Sequence, residues 1–184
     1  MTIRPHFFSN RNLEPLYNVS CILKAFARIQ VSYPDAMLTI AGDGQQRAEL
    51  ETLAGTLSLR NVHFLGRIQP DAMGALYNAA DIFLNSPSID NMPLSIIEAF
   101  ACGLPVVSTN AGGIPYVVTH NETGLLVDCD DHEAMAANAI RLLHEPDTAL
   151  RLADAARAEC ESRYTWPHVQ REWEELYVSL AGRC

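Results

Sequence analysis

The sequence predicts a doubly wound parallel α/β sheet of the Rossmann-like kind, and three observations carry that expectation. Short apolar stretches alternate with stretches of helical period along nearly the whole chain. Most of the short stretches are apolar on successive residues rather than on alternate ones, as in strands buried on both faces. The turns after the first four hold Gly, Asn, Arg or Asp, which suits a polar ligand at the carboxyl edge of such a sheet. With 184 residues and 48% hydrophobic composition the chain is read as one domain, 1–184, with enough apolar surface for a proper core.

In chain order, His6–Ser9 reads as the first strand and Asn10–Asn18 as a polar loop. From Val19, the positions Ile22, Leu23, Phe26 and Ile29 have helical spacing, and Tyr33-Pro-Asp35 ends that helix. Met37–Ala41 is a strand, Gly42-Asp-Gly44 a turn, and Arg47–Leu59 a helix with Leu50, Leu53, Ala54 and Leu57 on one face. Val62–Leu65 is the third strand, Asp71–Ala79 a short helix capped near Pro70-Asp71, and Asp81–Asn85 the fourth strand. Pro93 suits a first helical turn, and Leu94, Ile97 and Ala101 recur at helical spacing after it. Gly103-Leu-Pro105 stops that helix before the β-branched strand at Val106 and Val107. Ile114–Val118 is a brief helix and Gly124–Val127 a sixth strand. Three helices close the chain: Asp131–Leu143 (Met135, Ala139, Leu142 and Leu143 inward), Thr148–Cys160, and a last one introduced by Trp166-Pro167, with Trp166 and Trp173 as its packing residues.

Composition narrows the function. A formal net charge of −9 argues against nucleic acid or an anionic membrane as the main partner. No apolar run approaches a membrane span, and the first residues lack the apolar core of a secretion signal, so a cytoplasmic location is expected. The five cysteines, at 21, 102, 129, 160 and 184, form no CxxC pair and read as reduced thiols, Cys21 and Cys102 as small hydrophobes on helix faces. The run Asp128-Cys-Asp130-Asp131 imitates a metal-binding pattern but reads as a strand end followed by an acidic helix start. The histidines are scattered, and no metal is expected.

The segment from Asp90 to Pro115 is the centre of the functional reading. The helix after Pro93 aims its N-terminus at the Ser88–Met92 loop, and its free N–H groups make an anion site. Glu98, in the second turn, stands beside it. A phosphate at the amides and a hydroxyl at the acid would suit a nucleotide's diphosphate and ribose.

Taken together, Gly42-Asp-Gly44, Phe64-Leu-Gly66, Leu76-Tyr-Asn-Ala-Ala-Asp81, Asp90 to Glu98, Ala101 to Val107, Gly112-Gly-Ile-Pro115 and Asn121 to Val127 resemble the C-terminal domain of family 4 retaining glycosyltransferases, of the GT-B fold. The likeness covers nearly the whole chain. It implies the donor-binding half of an enzyme that moves a sugar from a nucleoside-diphosphate sugar to an acceptor in glycan biosynthesis, with no cofactor or metal. The acceptor would be bound by an N-terminal domain absent here, so that the chain alone is inactive. The full-length enzyme could be membrane-peripheral. The final helix, about 166–181, is similar to the one that packs back on that domain. Left alone it would expose Trp173, Leu176, Tyr177 or Leu180 and favour self-association.

By position, the resemblance makes Asp90 the first acid of an E-x7-E motif, facing the transferred sugar. Glu98 is the second, holding the ribose hydroxyls. Arg11 would bind the diphosphate, and Leu94 and Ser95 would offer backbone N–H groups to the distal phosphate. Asn91, Met92 and Pro93 complete the donor loop. Ile68 would read the base through its backbone, and Gly42 and Gly44 would let the chain pass close to the nucleotide. Two residues depart from the family's pattern. Asp90 replaces a Glu, withdrawing the carboxylate by about 1.5 Å, one C–C bond. Tyr17 and Asn18 stand where the family has a phosphate-binding Lys and a Gly, and Tyr cannot neutralise a diphosphate. Weak donor affinity is the expectation. The alternative is a non-catalytic nucleotide-sugar-binding or protein-interaction domain with a partly decayed site. A dinucleotide-dependent oxidoreductase is excluded, because Ser9-Asn-Arg-Asn12 has no glycine where the GxGxxG turn belongs.

Overall fold

The computed structural model describes residues 4–181. Its strands are β1 (His6–Asn10), β2 (Met37–Ala41), β3 (Val62–Gly66), β4 (Ile82–Asn85), β5 (Val106–Thr109) and β6 (Leu125–Val127). They form one sheet in the order β3-β2-β1-β4-β5-β6, every pairing parallel. The helices are α1 (Val19–Ser32), α2 (Arg47–Thr56), α3 (Pro70–Asn78), α4 (Leu94–Ala101), α5 (His132–His144), α6 (Pro146–Arg163) and α7 (Trp166–Ala181). This is the doubly wound sheet that the sequence predicts.

Side-chain alternation explains the unbroken apolar runs. Phe7, Leu38, Ile40, Ile82, Leu84, Val107 and Leu125 point into one core, shared with α1, α2 and α5. Phe8, Ala41, Phe83 and Val106 point into a second, shared with α4 and the 3₁₀ turn Ile114–Tyr116. Both faces of the central strands are therefore dry. Edge strand β3 is the exception: Val62 and Phe64 pack inward while His63 and Leu65 face solvent. Helix α6 joins the two layers, with Leu152 in the first core and Ala156 and Cys160 in the second.

Several boundaries and faces differ from expectation. Helix α2 stops at Thr56, because Ser58 and Asn61 turn the chain through left-handed φ of 54° and 56°. Helix α6 begins at Pro146, a residue suited to a first turn, and runs on to Arg163. Helix α4 buries Ser95, Ile96, Ala99 and Phe100, not the face of Leu94, Ile97 and Ala101; Leu94 is 64% exposed. Pro93 caps this helix from outside rather than lying in its first turn. Asp131 is the N-cap of α5, its carboxylate accepting the Ala134 N–H at 2.8 Å, as an acidic helix start should.

The tryptophans do not pack as predicted: Trp166 is 72% and Trp173 53% exposed, and α7 buries no residue. Cys21 is fully buried in α1, where burial, with Asp130 adding to it, pushes its thiol up to about 12. Cys102 lies just past the end of α4 and is half-buried, and Cys184 lies outside the described residues.

Phe26 is fully buried and meets Phe7 edge-on with ring centroids 6.0 Å apart. Truncating it to alanine should destabilise the domain by about 3–5 kcal/mol. Urea unfolding followed by circular dichroism measures this, and a loss below about 1 kcal/mol would mean that the first core collapses around the gap.

Candidate functional site

The strand order reverses between β1 and β4, so the crevice at their carboxyl ends is the natural ligand position. Arg11 follows β1 directly. Its Nε donates to Asn85 Oδ1 at 2.7 Å and its Nη2 to Asp90 Oδ2 at 2.5 Å. Both members of the Arg11–Asp90 ion pair are only 10% exposed. Asn85, at the end of β4, passes the chain on by donating from Nδ2 to Ser108 Oγ of β5 at 2.8 Å. The Tyr17 ring lies under the guanidinium, 5.1 Å from centroid to Cζ. Tyr17 therefore packs on the cation that its family counterpart would assist.

The loop before α4 is seated on glycine. The Gly113 N–H donates to the Asp90 carbonyl at 2.6 Å. A Cβ on Gly113 would stand 2.0 Å from the Asn91 carbonyl oxygen, and one on Gly112 would stand 2.5 Å from that of Asp90. Asn91 and Met92 face solvent above this seat. Asp90 uses its second oxygen too, accepting the Met92 N–H on Oδ1 at 3.2 Å. At the helix start, the Leu94 N–H donates to the Met92 carbonyl at 3.0 Å. The Ser95 N–H has no protein acceptor among the described residues, and Ser95 Oγ is buried without a partner.

Glu98 stands one turn further along α4. Its Oε2 accepts from the Tyr77 hydroxyl at 2.8 Å and from Asn10 Nδ2 at 3.2 Å. Asn10 Nδ2 also reaches the Tyr77 oxygen at 3.2 Å, and that hydroxyl lies 3.0 Å from the Ser95 carbonyl. Burial pushes the Tyr77 phenol well above its ordinary range, so it stays a proton donor at any physiological pH.

The glycines after β2 serve the β1 loop first. A Cβ on Gly42, whose φ is +129°, would lie 2.0 Å from the Arg11 carbonyl oxygen; one on Gly44 would lie 2.5 Å from that of Leu13. The space expected to hold a nucleotide beside them is thus filled, on that side, by residues 11–13. Gly44 also lines a polar cleft of about 320 Å³ with Asn12, Glu14, Asp43 and Arg67. Ile68 follows β3 beside Arg67 and is half-buried against the second core.

The structure thus gathers Arg11, Asp90, Asn91, Met92, Pro93, Leu94, Ser95 and Glu98 along one edge. It pairs Arg11 with Asp90 rather than leaving one for a phosphate and the other for a sugar. Sequence reasoning missed Asn10, Tyr77, Asn85 and Ser108. A usable signal existed for Asn85, a polar residue ending an otherwise apolar buried strand.

The family model described as glycosyl transferases group 1 matches residues 4–159. The chain belongs to this family. It is 32% identical over 169 residues to a GDP-mannose-dependent monoacylated alpha-(1-6)-phosphatidylinositol monomannoside mannosyltransferase of Corynebacterium glutamicum, covering 88% of this chain and 44% of that one. It is 33% identical over 176 residues to a D-inositol 3-phosphate glycosyltransferase of Corynebacterium urealyticum, covering 91% and 41%. Sucrose-phosphate synthase from Thermosynechococcus elongatus superposes with a TM-score of 0.88 at 27% identity, over all of this chain and 47% of that one. The C-terminal domain of the group 1 protein LpcC from Francisella tularensis superposes with a TM-score of 0.79 at 20% identity, over 89% of each. The fold is the C-terminal half of a GT-B glycosyltransferase, and the chain spans less than half the length of the curated relatives it matches.

In this group 1 domain the Gly112–Gly113 seat holds the 90–92 loop through backbone contact alone. Gly113→Ala should force Asn91 away and speed hydrogen exchange at the residue 113 N–H, with a stability loss of about 1–3 kcal/mol. Unchanged exchange there would mean that the loop is held from elsewhere.

Proposed function

We propose that this group 1 domain binds a nucleoside-diphosphate sugar at the carboxyl edge of its sheet and forms the donor half of a retaining glycosyltransferase. One observation carries the reading: the α4 start, the Arg11–Asp90 pair and the Glu98 carboxylate converge on one edge. That arrangement offers a cation and an unpaired amide to a diphosphate and a carboxylate to ribose hydroxyls. Arg11 Nη1 has no protein acceptor among the described residues, so the guanidinium can meet a phosphate oxygen while Nε stays on Asn85. In the transfer, the leaving diphosphate gains charge, and Arg11 with the α4 N-terminus stabilises it. A diphosphate drawing Arg11 to itself loosens Asp90, whose carboxylate then faces the developing positive charge on the sugar. No metal is required for these steps. The acceptor would be bound by the remainder of a longer protein.

Relatives differ in donor: the Corynebacterium glutamicum enzyme is named for GDP-mannose, and the Anabaena HepE neighbour (TM-score 0.88, 23% identity) is described in complex with UDP-glucose. Thermal-shift screening of UDP, GDP and ADP sugars therefore tests the proposal. One of them should stabilise the chain, and Glu98→Ala should reduce the shift; no shift with any of them refutes the reading. Asp90→Asn removes the anion that competes for Arg11. It should lower the melting temperature and tighten inorganic pyrophosphate about tenfold in calorimetric titration. Pyrophosphate affinity that stays the same or weakens would show that Asp90 does not hold Arg11 back.

Helix α7 supports the idea of a missing partner surface. Trp173, Leu176, Tyr177 and Leu180 recur at helical spacing and are each about half exposed or more. The rings of Trp173 and Tyr177 lie 5.8 Å apart. In the longer protein this face would pack on the remaining half, and in the isolated chain it favours self-association. Sedimentation velocity should show a concentration-dependent dimer that Trp173→Glu disperses, whereas a monomer at high concentration would count against it.

A further inference from the structure

The Glu98 carboxylate is exposed, yet it is held. An exposed glutamate on a helix samples many rotamers, and ordering it on binding costs affinity. Here one oxygen, Oε2, is fixed by two donors, and Oε1 has no protein donor among the described residues. The main donor is the Tyr77 hydroxyl, on a side chain only 1% exposed. The Tyr77 ring is locked in turn: Phe8 meets it edge-on with centroids 4.9 Å apart, and Phe83 lies 5.5 Å away. Asn10, the last residue of the central strand β1, donates to both the phenol and the carboxylate.

A phenol has one proton and two candidate acceptors here, the Ser95 carbonyl and Glu98 Oε2. The charged oxygen is the nearer and the stronger acceptor. Asn10 completes the relay by donating to the phenol oxygen. The phenol so held stands 3.0 Å from the Ser95 carbonyl in the first turn of α4, where the Ser95 N–H has no protein acceptor among the described residues. The spacing between an amide that suits a phosphate and an acid that suits a ribose is thereby set from the core.

We infer that Tyr77 and Asn10 are positioning residues that set ribose recognition, holding Glu98 by one oxygen so that the other meets the sugar hydroxyls. This rests on the reading of Glu98 as the ribose-binding acid. The prediction separates ribose from the rest of the nucleotide. Tyr77→Phe should weaken a nucleoside diphosphate but not its 2′,3′-dideoxy counterpart, which has no hydroxyl for Glu98 to hold.

The test is calorimetric titration of the full chain with UDP, GDP and ADP and the three dideoxy counterparts, comparing affinities within the tightest pair. In the unsubstituted chain the ribose form should bind more tightly. Glu98→Ala should remove that preference, and Tyr77→Phe and Asn10→Ala should each reduce it roughly tenfold, the effect of one charge-assisted hydrogen bond. Dideoxy affinities should stay level in all three variants. If Tyr77→Phe does not fold, the less buried Asn10→Ala carries the same comparison. A chain without ribose preference, or a preference that survives Glu98→Ala, overturns the assignment of Glu98 and this inference with it. A preference lost in Glu98→Ala but intact in the other two overturns the inference alone. So does an equal weakening of both members of the pair, which marks a structural role only.

Discussion

A nearly dry positive charge governs the carboxyl edge of this sheet. With Arg11 only 10% exposed, its guanidinium has lost most of its water and must be satisfied by protein. Asn85 takes Nε and Asp90 takes Nη2, and each of those partners is itself pinned. Asn85 is held by Ser108, so the charge ties β1, β4 and β5 together across the point where the strand order reverses. Asp90 is held by the Met92 N–H, and through its carbonyl by Gly113. The loop that aims α4 is therefore shaped by the need to compensate one arginine. The glycine pair beneath it is needed because no side chain fits between two backbones that close.

The sheet makes this possible by keeping the rest of its edge rigid. Both faces of β1 and β4 are covered, one by α1, α2 and α5 and the other by α4 and its neighbours. Side chains leaving the ends of those strands start from fixed points. Asn10, Arg11 and Asn85 are such side chains: Asn10 meets Glu98, Arg11 meets Asp90, and Asn85 holds Arg11. The loop residues Asn91 and Met92 are held by their backbone, while their side chains are exposed and make no hydrogen bond among the described residues. A site built in this way has its polar groups fixed from the strand ends, with exposed side chains only at its rim.

What could be read from sequence, and what could not, follows from the range of the physics involved. Strand and helix periods are local, so α1 and α5 were legible with their inward residues, Phe26 and Met135 among them. Helix α4 failed locally because its eight residues are apolar nearly all round: Leu94, Ile96, Ile97, Ala99 and Phe100 leave the period no contrast, and the second core decides which face is buried. Trp166 and Trp173 failed because large aromatic residues suggest a core, while both are more than half exposed on α7, which buries no residue. The Arg11–Asp90 pair joins residues far apart in the chain, and Tyr77 reaches Glu98 from another helix; no spacing rule connects them. The left-handed turn at Ser58 was equally hidden, since Ser is not a residue that favours positive φ, whereas Asn61 is of a type that does.

The two acids of the motif differ in a way that the motif itself conceals. Asp90 has both oxygens engaged, one on a cation and one on a backbone amide, and is nearly buried. Glu98 is exposed and, among the described residues, engaged by one oxygen only, through neutral donors. A carboxylate bound to a guanidinium can serve a ligand only by exchanging partners, and the natural competitor is another anion. A carboxylate held by a phenol and an amide needs no exchange: its free oxygen is already placed. The shorter side chain at position 90 sharpens this contrast, because an aspartate within reach of Arg11 has little slack to reach outward as well. On the proposed function, recognition at Glu98 would be a matter of fixed geometry, and at Asp90 a matter of competition for charge. An anionic ligand is what would convert the second into the first, by taking the arginine and leaving the aspartate to face the sugar.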